Sequence, residues 1–518
     1  MTGGDGVSLI KKKRDFDEAV SAYNRAAAAH AVVGTVEENL EIMQTLFADV
    51  DIMRYKHMED KNHRKYAIAF SDGMVSAAII NESILKPIMC SAGVEEGPDF
   101  LERLISEVVQ INEAEPTDDY RKIVESVCSG DTVLFVDGSD SAAILNTKAF
   151  PVRAISEPDN EKNIGGPREG FTEAIMQNIS LIRRRARTSD LKMRHLNIGK
   201  RTQTCVIVCY LNEIVNRSAL DELLRRLKSI DIDGVVDSNY VSELICDHKR
   251  SLFRTIGTTE RPDVVVGKIL EGRIAVLVDG SPDVLTVPFL FIENFQVSED
   301  YFLNYYYASF SRLIRMLGFF LTIAVPGLYI AIVAFHHEML PTPLLLNITI
   351  ERQSVPLPAA LEAFVMLLVF EILRETGVRM PTNIGQALSI VGALVIGQAA
   401  VEAKLVAAPM IIVVGITGIT NLLVPKIRSP IIYLRFFVLI MASVFGFYGF
   451  TIAMSLMVIH IIGLTSFGVP MIQADGATDR RHLKDVGIRA PWWEMETRPE
   501  ELTKNVARMG GKDGKGDA

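Results

Sequence analysis

The last third of the chain differs from the rest in its pattern of hydrophobic and polar positions. Residues 316–335 form a run of twenty residues without a charged side chain, and further charge-free runs follow it. A helix of this length crosses the ~30 Å hydrocarbon core of a bilayer, and soluble core helices seldom remain apolar on every face for so long. The pattern therefore predicts an all-α polytopic membrane domain over 311–474, with membrane segments at 316–335, 357–373, 384–401, 405–425 and 436–470.

The charges between these segments indicate an orientation. Arg312 and Arg315 precede the first segment, and the first twenty residues of the chain lack an apolar core of signal-peptide length. Because basic residues in short loops favour the cytosolic side, we expect the N-terminal half in the cytosol. The last apolar run is long enough for two short crossings or a re-entrant hairpin that bends near Gly446, Gly449 or Gly463. Either arrangement returns the tail, 475–518, to the cytosol.

The polar N-terminal half alternates short apolar strands with amphipathic helices, which predicts an α/β fold. Residues 1–34 are polar and alanine-rich and predict a mobile tail. Two apolar strands further on each lead into an Asp-Gly pair, Asp137-Gly138 and Asp279-Gly280. Such a pair between apolar strands is typical of a β-hairpin, because the turn requires positive φ angles.

The two Asp-Gly pairs also indicate an internal repeat. The local sequences are FVDGS at 135–139 and LVDGS at 277–281, and a strand and a helix precede each at similar distances. The pattern predicts two related α/β subdomains in tandem, residues 35–160 and 201–310. The alternative is that two unrelated hairpins share a turn sequence.

The segment between the subdomains, residues 161–200, predicts a connector with a basic amphipathic helix. Pro167 suits the first helical turn, and the charges follow the helix dipole from acidic to basic: Glu169 and Glu173, then Arg183, Arg184 and Arg185. Phe171 begins the apolar face. One interpretation is a capped connector whose basic end lies in solvent. The other is a basic patch that faces anionic lipid headgroups or a partner subunit.

The composition argues against several classes of function. The formal net charge of −9 gives no basic surface for nucleic acid. The five cysteines lie in the polar half without C-x-x-C spacing, which favours a reducing compartment over a disulfide framework. Phosphate-loop, zinc-protease and nucleophile-elbow motifs do not occur in the sequence. We therefore expect neither enzymatic activity nor a cofactor or metal.

Two carboxylates interrupt the otherwise apolar run 353–373. Glu362 and Glu371 would lie at membrane depth, where a charge is costly and commonly faces a bundle interior or a water-filled path. Both are therefore candidates for an ion pathway. The alternative is an interfacial helix in which Glu371 pairs with Arg374 and Glu375 is solvated. Glu362 has no close basic partner in the sequence, so the pathway interpretation is favoured for it.

The stretch GGPREGFTEAIMQNISLIRRRAR at Gly165–Arg187 resembles the signature of the A subunit of GerA-type spore germination receptors. Further matches follow in family order from about residue 35 to 499. They are Glu260–Asp263, LEGRIAVLVDGSPDVLTVP at Leu270–Pro288, Phe291–Glu293, Glu299–Tyr301, FEILRETGVRMP at Phe370–Pro381, and the tail pattern from Asp485 to Pro499.

The resemblance implies a multi-pass subunit of a nutrient receptor in the inner membrane of a bacterial spore. It implies a transporter-like B subunit, which binds the nutrient, and a lipoprotein C subunit as partners, and copies of the chain itself as another. The A subunit would relay the signal or conduct released cations. Residues in the matching motifs become candidates for structural or interaction roles: Pro167, Arg168, Glu169, Phe171, Glu173, Arg183, Arg184, Arg185, Asp279, Gly280, Arg374, Glu375 and Arg379.

Two other classes of function stay open at the level of sequence. A secondary transporter could use Glu362 as a proton or cation site, and a passive scaffold would use the soluble subdomains only to hold partners. Transporters commonly carry their internal repeat in the membrane half. The repeat in this chain lies in the soluble half, which weighs against the transporter.

Overall fold

The computed structural model shows two antiparallel sheets followed by a bundle of long helices. It describes residues 31–90, 100–149, 161, 165–379, 392, 395–472, 485–499, 502–503 and 508. Most of the tail 1–34, most of the predicted segment 384–401 and more than half of the tail 475–518 lie outside the described residues.

The first subdomain is a five-stranded antiparallel sheet in the order β1-β2-β4-β5-β3. Its elements are α1 (Val36–Leu46), β1 (Met53–Glu59), β2 (Lys65–Ser71), α2 (77–90), α3 (100–108), β3 (Ala114–Thr117), α4 (Tyr120–Cys128), β4 (Thr132–Val136) and β5 (Ala142–Leu145). α4 begins at Tyr120 because the Asp119 side chain accepts a hydrogen bond from the Arg121 N–H at 2.8 Å.

The second subdomain repeats this arrangement, with the strand order β6-β7-β9-β10-β8. Its elements are α5 (Ile175–Arg185), β6 (Leu191–Ile198), β7 (Thr204–Leu211), α6 (Arg217–Lys228), α7 (Ser238–Ile245), β8 (Gly257–Thr259), α8 (Pro262–Ile269), β9 (Ile274–Val278) and β10 (Val284–Val287). Helices and strands therefore follow one another in the same order in both subdomains. The first strand of the second sheet lies inside the predicted connector, 161–200, because Leu191 and Met193 are core residues.

Both Asp-Gly pairs lie where they were predicted, between the two strands of a hairpin. Gly138 has φ 82° and Gly280 has φ 84°, in the left-handed region that glycine adopts without steric cost. Neither Asp137 nor Asp279 has a positive φ. The connections are therefore longer loops with a single left-handed residue, and not the two-residue turns that an Asp-Gly pair commonly forms.

Two buried asparagines provide a second equivalence between the subdomains. The Asn39 side chain accepts a hydrogen bond from the Val33 N–H at 3.0 Å and donates to the Val33 carbonyl. Asn178 accepts from the Thr172 N–H at 2.8 Å and donates to the Thr172 carbonyl. Each asparagine thus fixes the chain segment that enters the first helix of its subdomain, at the same sequence separation.

One cluster of buried side chains joins the two subdomains around α1, α4, α5 and α8. α5 begins at Ile175, so the prediction that Pro167 occupies its first turn is wrong. The preceding segment is not helical, because the Phe171 N–H donates to the Glu260 carbonyl at 2.7 Å and the Pro167 carbonyl accepts from Arg261. Phe171 is buried as expected, and Arg168 is exposed.

The C-terminal part is helical. Its long elements are α9 (Tyr305–Phe335), α10 (Thr342–Gln353), α11 (Ala359–Arg379), α12 (Ala408–Leu422) and α13 (Arg428–Ile462). By length and composition, the helices Tyr305–Phe335 and Pro425–Ile462 can each cross a membrane. α9 starts eleven residues before the apolar run, because Asn304 caps it by accepting a hydrogen bond from the Tyr306 N–H at 3.0 Å.

α13 contains a sharp bend at Gly446, one of the three glycines predicted for it. Gly446 has φ 60° and ψ −136°, and a Cβ atom there would press against Phe335. The two arms return to the same end of the bundle, because Ile431 in the first arm and Ile461 in the second share a core cluster with Phe253 of the second subdomain.

Candidate functional site

Glu362 lies buried where α11 meets the start of α12. Its Oε1 atom accepts a hydrogen bond from the backbone N–H of Ala407, the N-cap residue of α12, at 2.7 Å. The first N–H groups of a helix lack partners within the helix, so they stabilise a carboxylate there. The sequence indicated no cation near Glu362, but Arg352 of α10 lies within electrostatic range of it. The Oε2 atom has no hydrogen-bond partner in the described part of the chain.

Glu371 has a different environment, with several guanidinium groups around one carboxylate. It pairs with Arg374 at 2.5 Å, as one interpretation of the sequence expected, and also with Arg435 of α13. Arg435 is fully buried, and Arg428 lies within electrostatic range of the pair. This local excess of positive charge makes Glu371 a poor site for attracting a cation.

Sequence reasoning missed a set of polar residues inside the bundle. Thr322 of α9 donates a hydrogen bond to Thr420 of α12 at 2.8 Å, and Thr417 and Asn421 are buried beside them. The Asn421 amide has no hydrogen-bond partner among the described residues. A charge count cannot find such residues, because Thr and Asn do not interrupt a charge-free run. The helix spacing of Thr417, Thr420 and Asn421 was the available signal.

A cluster of ionic and polar groups connects the soluble half to the bundle; we call it the junction cluster, and it comprises Asp300, Tyr301, Arg312, Arg315 and Asp485. Arg315 Nη2 lies 2.5 and 2.7 Å from the two carboxylate oxygens of Asp300. Arg312 Nη1 donates to Asp485 Oδ1 at 3.0 Å, and the Tyr301 hydroxyl donates to Asp485 Oδ2 at 2.7 Å. The cluster therefore joins the end of the soluble half, the start of α9 and the C-terminal tail.

The protonation state of Tyr301 favours its bond to Asp485, and burial raises the pKa of Asp485 against the opposing charge of Arg312. Burial, and after it the charge of Asp485, raises the pKa of Tyr301 well above its ordinary value. The phenol therefore remains a neutral hydrogen-bond donor. Arg312 is fully buried and Asp300 is almost so, which makes each dependent on the other, since a buried charge without a partner is strongly destabilising.

A second ionic cluster lies inside the second subdomain. Glu293 is buried and pairs with Lys268 at 2.8 Å and with Arg273 at 3.0 Å. Burial alone would raise the pKa of Glu293, but the charges of Arg273 and Lys268 outweigh it, so the pKa is lowered. The carboxylate is therefore ionised at neutral pH.

The C-terminal tail packs on both the bundle and the second subdomain. The Arg489 N–H donates to the Ser309 hydroxyl of α9 at 3.0 Å. Further along, Arg498 Nε donates to the Leu270 carbonyl at 2.6 Å. The tail therefore lies on the same side of the bundle as the soluble half.

Aromatic rings complete the contact between the second subdomain and α9. Phe319 of α9 lies 5.6 Å from Phe295 and 6.1 Å from Phe291 in edge-to-face geometry. Phe253 packs on Phe291 at 5.6 Å. Such pairs add to the stabilisation from burial of their apolar surface, so this contact is both apolar and ionic.

The three connector arginines all bond to groups within the chain, but they differ in burial. Arg183 is buried, and its Nη1 donates to the Thr188 carbonyl at 2.8 Å. Arg184 and Arg185 both pair with Glu169, which therefore lies near the C-terminal end of α5 and not at the predicted N-terminal end. Arg183 is therefore not part of a solvated basic end, whereas Arg184 and Arg185 are half-buried and paired with Glu169.

The Asp279-Gly280 pair holds the start of the connector helix. Asp279 Oδ1 accepts a hydrogen bond from the Ile175 N–H at 3.3 Å, and the Gly280 N–H donates to the Glu173 carbonyl at 2.9 Å. In the first subdomain, the Gly138 N–H donates to the Gly34 carbonyl at 2.7 Å in the same way. These motif residues therefore have a structural role in linking each hairpin to the helix of its subdomain.

The remaining candidate residues lie at the end of α11. Glu375 and Arg379 form an exposed pair at 2.7 Å, a type of contact that contributes little to stability. Across the described ranges, no group of three or more His, Cys, Asp or Glu side chains is arranged to hold a metal ion.

The chain is similar to several bacterial proteins over most of its length. The family model described as Bacillus/Clostridium GerA spore germination protein matches residues 39–501. Spore germination protein KA of Bacillus subtilis (strain 168) is 38% identical over 464 residues, which cover 89% of this chain and 85% of that protein. The uncharacterized membrane protein YfkQ of the same organism is 36% identical over 479 residues, 92% of this chain and 93% of that protein.

Part of the chain is also similar to a solved structure. It is the crystal structure of the N-terminal domain of the A subunit of the Bacillus megaterium spore germinant receptor GerK3, with 30% identity and a TM-score of 0.40 over 50% of this chain and 97% of that one. The extent of the family match and the identity to full-length relatives confirm the resemblance seen in the motifs. The chain belongs to the Bacillus/Clostridium GerA family of spore germination proteins.

Proposed function

We propose that this chain is the A subunit of a nutrient germinant receptor in the spore inner membrane and takes part in germinant-triggered germination. Membership of the GerA family supports the proposal, together with relatives that carry the name spore germination protein. In this role the chain relays ligand sensing to the release of cations through a membrane pathway. It is a receptor component and not an enzyme.

The proposed topology places the soluble half and the tail together in the cytosol, with a multi-pass domain at 311–474 between them. The junction cluster supports it, because Arg312 at the start of α9 contacts Asp485 of the tail. The bend at Gly446 supports it as well, since both arms of α13 end at the second subdomain. An even number of crossings follows, and the positive-inside rule then assigns the basic junction side to the cytosol.

The single observation that carries the relay is the junction cluster. A movement of the second subdomain would be transmitted to α9 through Asp300, which Arg315 holds with two short bonds. It would reach the tail through Arg312 and Asp485. Coupling between distant sites needs an element whose arrangement both sites bias, and this cluster touches all three segments.

Within the bundle, the proposed cation pathway uses Glu362. This carboxylate is buried and has one oxygen without a hydrogen-bond partner among the described residues, so a pathway formed by several chains could reach it. Glu371 is assigned to structure instead, because Arg374 and Arg435 already neutralise it. We propose copies of this chain, a transporter-like B subunit and a lipoprotein C subunit as partners, and no nucleic acid.

The test replaces Glu362 by glutamine in spores that carry the variant subunit. Glu362→Gln retains an oxygen that accepts from the Ala407 N–H and removes the negative field that concentrates cations. Germinant-triggered ion release, normalised to receptor abundance, should fall. The matched control is Glu375→Gln, on the exposed end of the same helix, which should release ions normally. Unchanged normalised release in Glu362→Gln would remove this residue from the pathway.

A further inference from the structure

Both tryptophans of the chain lie next to each other in the C-terminal tail, at the start of α9. The sequence contains only Trp492 and Trp493. The Trp492 ring lies 6.0 Å from Tyr301, and the Trp493 ring lies 5.9 Å from Tyr305 in edge-to-face geometry. Arg489 lies 5.7 Å from the centre of the Trp492 ring. The tail is thus fixed at this position by aromatic and cation–π contacts.

The two rings are part of a large exposed aromatic surface. Trp492 is 46% exposed and Trp493 is 68% exposed. We call this surface the aromatic patch; its other exposed members lie just before or within the first turns of α9: Phe302, Tyr306, Tyr307 and Phe310. An exposed apolar surface of this kind marks a contact with a membrane or a protein.

The position of the patch distinguishes between these two occupants. On one side of it lies the buried junction cluster, with Arg312 and Asp485. On the other side, α9 continues with exposed apolar side chains only one to three turns further on, at Leu313, Leu317 and Phe320. The patch therefore lies between a charged region and the surface that faces lipid in the proposed topology, on which this inference rests.

The residue types fit a membrane–water boundary. Tryptophan and tyrosine are enriched at both interfaces of a bilayer, because each ring is apolar while its N–H or O–H needs a polar partner. If the patch bound a second copy of the chain instead, the exposed rings would still lie next to lipid-facing side chains. Their combination of an apolar ring and a polar N–H or O–H would then have no role. The bilayer interface is therefore the occupant that the chemistry of the patch favours.

We propose that Trp492 and Trp493 insert into the headgroup and glycerol region of the cytosolic leaflet. The C-terminal tail then acts as a second membrane anchor. Since Arg498 of the same tail bonds the second subdomain at Leu270, the anchor also fixes the distance of that subdomain from the lipid surface. The tail thereby connects three bodies: the bilayer, α9 and the second subdomain.

The absence of other tryptophans allows a direct test without labelling. The full chain is reconstituted in phosphatidylcholine and phosphatidylglycerol vesicles whose acyl chains carry bromine either near the glycerol or near the chain end. Bromine quenches tryptophan emission on contact. Shallow bromine should quench the emission strongly and deep bromine weakly, and Trp493→Phe should reduce the quenched fraction more than Trp492→Phe, because Trp493 is more exposed.

The negative control moves the reporter into the first subdomain. A chain with both Trp492→Phe and Trp493→Phe and a new tryptophan from His57→Trp, on the exposed edge of β1, should show no quenching by either lipid. Resistance to alkaline extraction is measured in parallel. If the chain resists extraction but shallow bromine leaves its tryptophan emission unchanged, the proposed anchor is wrong and the membrane topology stands. A chain that alkali extracts from the vesicles contradicts the proposed membrane topology itself.

Discussion

The two soluble subdomains have the same strand order, yet they contain different groups at equivalent positions. The residue immediately before the central strand is Asp131 in the first subdomain and Arg273 in the second. Asp131 pairs with Lys148, which is partly exposed, whereas Arg273 pairs with Glu293, which is buried. The hydrophobic clusters of the first sheet contain no described residue of the long C-terminal helices, whereas Phe253 and Phe289 of the second subdomain lie in a cluster with α9 and α13.

This difference shows what a repeated fold determines and what it leaves free. Hydrophobic pattern and turn residues reproduce the same sheet twice, because those features specify register and chain reversal. Among the described residues, buried ion pairs lie inside the second subdomain, where Arg273 pairs with Glu293, and at its contact with α9, where Arg312 pairs with Asp300. Buried ion pairs are weak sources of stability. We therefore attribute to them the orientation of the second subdomain relative to α9, and the first subdomain has no such role.

The largest expected effect is a loss of stability that differs between the two subdomains. Glu293→Gln removes the described carboxylate partner of buried Lys268 and leaves Arg273 with Glu271 alone, so it should reduce the free energy of unfolding by about 3–5 kcal/mol. Asp131→Asn should cost much less, because its partner Lys148 is partly exposed and water solvates the ammonium group when the carboxylate is removed. Thermal unfolding of the full chain in detergent measures both. Equal losses of unfolding free energy in the two variants would contradict the proposed difference between the subdomains.

The pH dependence of the same two residues has opposite signs. The folded pKa of Glu293 is lowered below 4.5, so its contribution is present above pH 4.5 and is lost as the pH falls through the folded value. The folded pKa of Asp131 is raised above 3.8, so its contribution is complete below pH 3.8 and is lost as the pH rises through the folded value. The free energy of unfolding of each variant, compared with that of the parent chain across this pH range, measures the contribution of each carboxylate.

A smaller effect should be the same in both subdomains. Gly138→Ala and Gly280→Ala each place a side chain at a left-handed position, which costs roughly 1–2 kcal/mol. The cost should be equal, because a Cβ atom meets nothing within 4 Å at Gly138 and only the Val236 carbonyl, at 3.9 Å, at Gly280. The control is Gly267→Ala in α8, an exposed helical position, where alanine should stabilise by about 1 kcal/mol. Unequal losses of unfolding free energy in Gly138→Ala and Gly280→Ala would contradict the structural equivalence of the two turns.

The smallest expected effect concerns the connector between the subdomains. Glu169→Gln should cost about 1 kcal/mol, since it weakens the partly exposed pairs with Arg184 and Arg185. Burial opposes ionisation of Glu169, but the two arginines outweigh it and lower the pKa below 4.5. The difference from the parent chain should therefore be present above pH 4.5 and vanish in acid. Glu173→Gln, an exposed change, should have no effect at either pH.

Much of the fold could be predicted from local patterns. The Asp-Gly pairs predicted both hairpins, and the length and glycines of the last apolar run predicted the bend at Gly446. The start of α5 was predicted wrongly at Pro167, because the segment before Ile175 bonds to Glu260 and Arg261 instead of forming a helical turn. Such bonds join residues far apart in sequence, which a helical period cannot represent.

The candidate site was less accessible to prediction. Glu362 and Glu371 are equally visible as charges in an apolar run, but only the packing of α11 reveals that one contacts the N–H of Ala407 and the other contacts Arg435. Asp300 and Asp485 appeared in the family motifs without a role. They meet through Arg312, from a separation of more than 180 residues between the two carboxylates, and no sequence period encodes that contact.

The central claim is that the second subdomain, the tail and α9 act together through the junction cluster. The most direct test is germinant-triggered ion release from spores that carry Asp485→Asn, normalised to the amount of receptor in the membrane. Asparagine retains the size of the side chain and removes one of the two carboxylates that pair with Arg312, while Asp300 remains. Receptors should still assemble, and ion release per receptor should fall strongly relative to the Glu375→Gln control. Normal release per receptor in Asp485→Asn would contradict the relay.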